Sequence, residues 1–451
     1  MQRRRFLLAA ASAAAIAPFA GLAGCGNSSS SDGPQPVPPE DVVLSLPEDM
    51  YLHPGSPTEW WWHIGTLKAG ERIFGFEINA ASFAKDGFAF SQIMLTDVEG
   101  QRHYKRTTPF VPPIMFNPTT WAQSDASKDW YARLGDVENQ LSAVAIVNPG
   151  SGYTSPPTIA ISGGGGSGGS ALATIDASTG GIANIVIVNP GSGYTSPPTV
   201  TITGGGGSGA VAQAFHTYIT MAAPAADPTQ NMTVQALLYD DPTGSQVKFD
   251  LTLSQQGRPF FVFGTGVNPD GSPDGGVEKN NYYFSLTRLQ ATGTIEIDGE
   301  TFAVSGVTWM DHEYGYFGTA AKPVKWILQD FQLDNGFCIS NFAVVENGLP
   351  DLDETVPSQA TLQDASGNIY FVKTKLTPIG RTWTSPETGG TYFTQFRVEI
   401  PSFDATLVVT TLFDSQEFPV PTASVYEGVA DATGTFQGKS VTGTAWIEQE
   451  P

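Results

Sequence analysis

Two short stretches of this chain hold most of the residue types from which an active site is built. The first runs His53-Pro54-Gly55-Ser56-Pro57-Thr58-Glu59-Trp60-Trp61-Trp62-His63-Ile64-Gly65, and the second Val304-Ser305-Gly306-Val307-Thr308-Trp309-Met310-Asp311-His312-Glu313-Tyr314-Gly315. Between them they carry four of the nine tryptophans and three of the five histidines, so acids and imidazoles are concentrated beside indole. A carboxyl group kept from water among aromatic rings holds its proton to higher pH, because burial penalises the charged form. Such a group can protonate carbon, and indole faces can stabilise the cation that results. Asp311 is the first candidate for such an acid and Glu59 the second, with His312 or His63 placed to orient a water or accept its proton.

Strand geometry decides which of these side chains can meet. In a strand, Glu59, Trp61 and His63 share one face and Trp60 and Trp62 the other; likewise Trp309, Asp311 and Glu313 project opposite Met310 and His312. Plainer readings fit the same residues. Trp60, Trp61 and Trp62 also suit an aromatic plug closing the end of a barrel. Asp311, His312 and Glu313 also suit a structural hydrogen-bond knot with Arg288. A metal site made of His312 with Asp311, Glu313 and His63 has no His-x-x-x-His spacing or cysteine pair behind it, so no metal and no cofactor is expected. A serine hydrolase is disfavoured, because no Gly-x-Ser-x-Gly elbow lies between a strand and a helix.

The elements that must position these residues read as strands. Ile73-Phe74-Gly75-Phe76-Glu77-Ile78, Val247 to Leu253, Gly293 to Asp298 and Thr391 to Ile400 alternate with period two and are rich in β-branched and aromatic residues. Turn signals such as Asp240-Asp241-Pro242-Thr243-Gly244 punctuate them, and helical periodicity is nearly absent beyond the first residues. One repeat interrupts the pattern. Val147-Asn148-Pro149-Gly150-Ser151-Gly152-Tyr153-Thr154-Ser155-Pro156-Pro157-Thr158 returns identically at Val188 to Thr199, and each copy is followed by a glycine run, Gly163 to Gly166 and Gly204 to Gly207. The apolar flanks Ile185 to Val188 and Thr199 to Ile202 predict a small folded β-module over 141–215 rather than a Gly-rich linker. With no following helix and no Gly-Lys-Ser/Thr, the glycine runs are not a nucleotide loop.

Several landmarks then occur in a telling order: Glu59-Trp60-Trp61, Asn281-Tyr282-Tyr283-Phe284-Ser285-Leu286-Thr287-Arg288, Gly306 to Glu313, Asp414-Ser415-Gln416-Glu417 and Tyr426-Glu427-Gly428. In this the chain resembles the carotenoid 1,2-hydratase and AttH-like family, over residues 41 to 451 apart from the repeats. The resemblance implies an all-β protein of two tandem lipocalin-like (calycin) barrels, 41–305 and 306–451, with the repeat module inserted in the first and a ligand site between or within them. It also implies hydration of isoprenoid or prenyl double bonds, or the folding of polyene chains for pericyclic cyclisation. The residues set around the ligand are then Trp60, Trp61, Trp62, Trp309, Tyr283, Glu313 and Arg288. The chain departs from the family at Lys325-Trp326-Ile327-Leu328-Gln329-Asp330, where a Trp-Asp-Trp-like segment is usual.

The beginning of the chain reads as an address. Arg3 and Arg4 precede an apolar stretch that ends in Leu22-Ala23-Gly24-Cys25, which resembles a twin-arginine lipoprotein signal over 1–24, cut before a lipidated Cys25. Residues 25–40, rich in Ser and Pro, read as a tether to the cell envelope, either the periplasmic or the outer face. Removing Arg3, Arg4 and Arg5 with the leader takes the formal charge from −22 to −25, a surface that repels phosphate backbones, so nucleic acid is not an expected partner. With Cys25 acylated, only Cys338 remains, which leaves no intramolecular disulfide. The only membrane contact expected is the lipid, and the sequence sets no oligomeric state. Two functions follow: a hydratase-like or isomerase-like enzyme on an apolar unsaturated ligand, or a carrier that holds such a ligand unchanged.

Overall fold

The computed structural model describes residues 33–110, 116–135, 139–240, 243–269, 271–272, 275–317, 325–345, 348–420 and 423–450. Arg3, Arg4 and Cys25, and with them the leader and the lipidation site, lie outside the described residues. Within that range the alternating segments form 28 strands and four single-turn 3₁₀ helices, with no α-helix among the described residues.

The strands divide into two large antiparallel sheets. The first runs, in order, Arg102–Phe110, Phe88–Asp97, Arg72–Phe83, Thr58–Ala69, Glu300–Gly315, Asn281–Ile297, Gln246–Gln255, Met232–Tyr239, Tyr218–Ala223 and Trp130–Leu134. It curls into a barrel whose seam is spanned by side chains: the Lys105 amide donates to Asp240 Oδ1 (2.9 Å) and Arg106 Nη1 to the Tyr239 carbonyl (2.9 Å). The second sheet closes fully, because Ala405–Thr411 pairs with both Gln395–Ile400 and Ala423–Phe436. This is the architecture of two tandem barrels. Period-two alternation fills each interior, with Phe74, Phe76, Ile78 and Phe249 in the first and Phe396, Val398, Leu407 and Val409 in the second.

A third apolar layer lies where the outer faces of the barrels meet. Ile64, Met94, Tyr283 and Trp309 of the first barrel pack with Trp326, Leu328, Phe342, Val429 and Trp446 of the second. The sheets approach so closely that a Cβ at Gly75 would stand 2.4 Å from Val429 Cβ, which is why an alternating strand carries glycine there. Polar ties flank the layer: Phe263 N–H donates to Thr361 Oγ1 (2.9 Å) and Thr96 Oγ1 to Gln416 Oε1 (2.9 Å).

Two expected boundaries move. Glu300–Gly315 is one unbroken strand of the first sheet, with Gly306 opposite Ala291, so a division at 305/306 falls inside it. The change of sheet comes between Gly315 and Trp326, because alternation runs on through Gly306. The tether, expected to reach residue 40, is already docked at Val37, whose amide donates to the Ile369 carbonyl (2.7 Å); Val43 follows at the Thr265 carbonyl (2.9 Å).

Residues 143–215 fold into two small sheets, one of Ala143–Ser151 with Ser208–Phe215 and one of four strands between them. Each repeat's buried tyrosine packs on the other repeat's glycine run. A Cβ at Gly207 would stand 2.5 Å from Tyr153 and one at Gly166 2.6 Å from Tyr194, so ring and backbone meet only because a side chain is missing.

Candidate active site

The two motif strands are neighbours. Thr58–Ala69 pairs antiparallel with Glu300–Gly315, placing Trp60 opposite Glu313, Trp62 opposite Asp311 and Ile64 opposite Trp309 on one face. Trp61 lies opposite His312 and His63 opposite Met310 on the other. The face bearing Trp60, Trp62, Trp309, Asp311 and Glu313 looks into the layer between the barrels, while Glu59, Trp61, His63 and His312 look into the first barrel.

The layer between the barrels is rich in acid. Asp311 Oδ1 accepts from Ser285 Oγ (2.5 Å) and Trp309 Nε1 (2.8 Å), and Glu313 Oε1 accepts from Asn281 Nδ2 (3.2 Å). The second barrel contributes Glu448, which accepts from Trp326 Nε1 (2.8 Å), Glu427, which accepts from Trp446 Nε1 (2.8 Å), and Asp330. Glu77 completes the set with both carboxyl oxygens unpartnered, as are those of Asp330. All six carboxyls are buried, and none forms an ion pair among the described residues. Burial without a cation has one consequence. Desolvation pushes Asp311 up to about 6 and Glu448 to about 8, and raises Glu313, Asp330, Glu427 and Glu77 well above the ordinary carboxylate range.

Asp311 and Glu448 face a common space. A void of about 30 Å³ is lined by Trp60, Trp62, Tyr283, Asp311, Glu313, Trp326, Leu328 and Glu448. It has room for a water molecule. A groove of about 950 Å³ opens beside it, and its Phe342 and Val344 are the register partners of Leu328 and Trp326. The hollow anticipated from the sequence is therefore small at the acids and large only outside them.

The remaining candidates lie elsewhere. Trp61 is fully buried inside the first barrel, stacked on His312 (centroids 4.5 Å apart) and packed against Trp121 and Trp130, so it is a barrel plug while Trp60 and Trp62 are not. His63 has neither ring nitrogen partnered, and burial pulls it down to about 3, leaving it neutral. His312 is neutral for the same first reason, and neither imidazole reaches Asp311 through the strand that separates them. Glu59 forms a cluster with His53 at the mouth of the first barrel. Arg288 stays out of the acid layer: its guanidinium donates to Cys338 Sγ (3.3 Å) and to the Gly336 carbonyl, tying the barrels together, so the knot with Asp311 and Glu313 does not form.

Sequence reasoning missed Glu448, Glu427, Asp330 and Trp446. Trp446-Ile447-Glu448 repeats the Trp-x-acid spacing of Trp309-Met310-Asp311, and that signal was available. Trp326 and Asp330 stood in the segment noted only as a departure from the family.

The fold and site together define a double-barrel protein with a shared acidic seam. The chain belongs to the AttH-like family, whose description matches residues 198–449, more than half of its length. Among solved structures, an AttH from Nitrosomonas europaea superposes with a TM-score of 0.56 at 18% identity, covering 92% of this chain and 99% of that one. Kievitone hydratase from Nectria haematococca superposes at 0.54 with 15% identity, covering 91% and 93%. At such identities the likeness is one of fold. No curated protein matches the sequence.

Proposed function

We propose that this protein is an enzyme that protonates an isolated double bond of an apolar, isoprenoid or lipid-like substrate and adds water to the resulting cation, or lets that cation isomerise or cyclise. One observation carries the reading: Asp311 and Glu448, from different barrels, line a single indole-walled space with no basic side chain in the lining. Burial raises both carboxyls, but Asp311 has two hydrogen-bond donors and reaches only about 6, whereas Glu448 has one and reaches about 8, so Glu448 holds its proton more tightly. Two carboxyls held apart in this way divide into acid and base. Glu448 gives its proton to the alkene carbon and becomes a carboxylate. Water attacks the cation and passes its proton to Asp311, and transfer of that proton from Asp311 to Glu448 restores both. Trp60, Trp62 and Trp326 present ring density to the cation, each worth about 2 kcal/mol when dry. The fold shared with a hydratase supports the reaction class. Asp311 thus takes the base role in place of the acid role expected of it, and Glu448 supplies the acid.

The test is turnover of prenyl and terpenoid alkenes in isotopically labelled water. Asp311→Asn and Glu448→Gln are each expected to lower the rate by about 100-fold or more; rates equal to wild type would remove both carboxyls from the mechanism. A carrier role rests on the groove of about 950 Å³, which could hold a lipid without bringing it to either acid. Native mass spectrometry separates the two, since a carrier releases its ligand unchanged. We propose further, from the leader alone, twin-arginine export and acylation at Cys25; labelled palmitate should enter the wild type and not Cys25→Ser.

A further inference from the structure

The inner face of the motif strands carries a second constellation that the hydration chemistry does not use. His53 Nδ1 lies 2.8 Å from Glu59 Oε1, and His312 Nε2 lies 3.5 Å from the same oxygen. One ligand atom from each of the three residues falls within 4.8 Å of the other two. Donors about 2.0–2.1 Å from a tetrahedral zinc stand ~3.3 Å apart, so two of these separations already bracket the requirement.

Both imidazoles are set from behind. His312 Nδ1 lies 2.8 Å from the Trp60 carbonyl, which can only accept, so the proton sits on Nδ1 and the Nε2 lone pair faces Glu59. That Nε2 is fully buried with no hydrogen-bond partner, a lone pair aimed at the carboxylate oxygen that His53 Nδ1 also meets. His53 Nε2 lies 3.1 Å from Asp49 Oδ1, which in turn accepts from the Tyr314 hydroxyl (2.9 Å), leaving His53 Nδ1 toward Glu59. A carboxylate or carbonyl on the far nitrogen of each histidine is the arrangement that orients metal-ligating imidazoles. Tyr314 stacks on His53 and Trp61 on His312, which fixes both ring planes.

We propose that His53, Glu59 and His312 bind a divalent cation of the zinc type at the mouth of the first barrel, with Asp49 and the Trp60 carbonyl as orienting groups. Binding displaces the proton that His53 shares with Glu59. Two histidines and one carboxylate leave a fourth position, as in catalytic rather than structural zinc sites. That position opens on a pocket of about 470 Å³ lined by His53, Glu59, Pro54, Pro57, Trp121 and Ser124, which would admit a water or a small oxygen ligand to the metal. The site replaces the His312, Asp311, Glu313 and His63 grouping weighed from the sequence, whose members the strand divides between its two faces.

The test is titration of the purified, untagged full chain with zinc alone, by calorimetry, with cobalt absorption reporting the coordination geometry. One equivalent per chain is expected, with a tetrahedral or five-coordinate cobalt spectrum. Glu59→Gln and His53→Gln should each weaken binding by at least ~10-fold, and Asp49→Asn by about 10-fold. His53 is partly exposed, so its variant tests the site even if substitution of buried His312 or Glu59 unfolds the chain; circular dichroism checks each fold. Undiminished binding in His53→Gln, or no stoichiometric binding by the wild type, would overturn the site.

Discussion

The two faces of the strand Thr58–Ala69 surround their acids differently. On the inner face, Glu59 and Asp49 have an imidazole between them; burial still raises Glu59, while for Asp49 the hydrogen bonds from His53, Ser45 and Tyr314 outweigh burial and lower it. Burial pulls His53 down, but hydrogen bonds to Asp49 and Glu59 outweigh it and hold it at about 9. On the outer face, Asp311 and Glu313 have hydrogen-bond donors but no cation, and the facing barrel adds Glu448 and Glu427 in the same condition and Asp330 without a donor. The difference lies in what shares the burial. A buried acid beside a base shares its proton with that base, whereas a buried acid among indoles and other acids has no cation to hold its charge.

The largest effect that tests this contrast is the pH dependence of stability. A carboxyl whose folded pKa is raised contributes stability that is fully present below its unfolded value and is lost as pH rises through the folded one. For Asp311 and Glu448 that window runs from the ordinary carboxylate range to about 6 and about 8. Thermal or denaturant unfolding should therefore show stability falling as pH rises from 5 to 8, by on the order of 1.4 kcal/mol per pH unit for each proton the folded state retains. Asp311→Asn combined with Glu448→Gln should flatten this fall. His53, raised from 6.5 to about 9, contributes a fall of the same sign only above its unfolded value, so His53→Gln should leave the slope below pH 6 intact. A slope unchanged in the double variant would break the contrast.

A smaller effect concerns the dryness of the layer. Gly75→Val places methyl groups where Val429 already stands and should cost about 1–3 kcal/mol in chemical denaturation while partly wetting the seam. Wild-type stability with an unchanged pH profile would mean that the sheets do not meet there. Next comes Trp309→Phe, which removes one donor to Asp311 at about 1 kcal/mol and should move the lower limb of the pH–rate profile upward. The smallest effect is expected from excising residues 143–214. Ser142 N–H donates to the Phe215 carbonyl (3.0 Å), so the cut ends are already adjacent, and the module lines neither face of the motif strand. Hydration rate and unfolding midpoint should be nearly unchanged, and collapse of the fold would show that the module is structural.

Much of this was legible in sequence because strands announce themselves by alternation. The split of Trp60 and Trp62 from Glu59, Trp61 and His63 follows from period two alone, and so does the common side of Trp309, Asp311 and Glu313. What alternation cannot supply is partnership across distance. Thr58 Oγ1 donates to the carbonyl of Gly315, 257 residues away, and nothing local forecasts that pairing. The choice of Arg288 failed for the same reason, since its strand feeds the acid layer through Ser285 while its own side chain reaches Cys338 and Gly336. His53 was overlooked as a ligand because it precedes its strand, where no periodicity assigns a face. Glu448 sits at the far end of the chain, and only its Trp-x-acid spacing links it to Asp311.

The most direct measurement is infrared spectroscopy of the intact protein at pH 7, reading the carbonyl stretch of protonated carboxyl groups. Burial of unpaired acids between the barrels predicts a protonated-carboxyl band at neutral pH, of which the Glu448 component is missing in Glu448→Gln and titrates as pH passes about 8. A wild-type spectrum without such a band at pH 7 would contradict the central claim, because every carboxyl between the barrels would then be ionised.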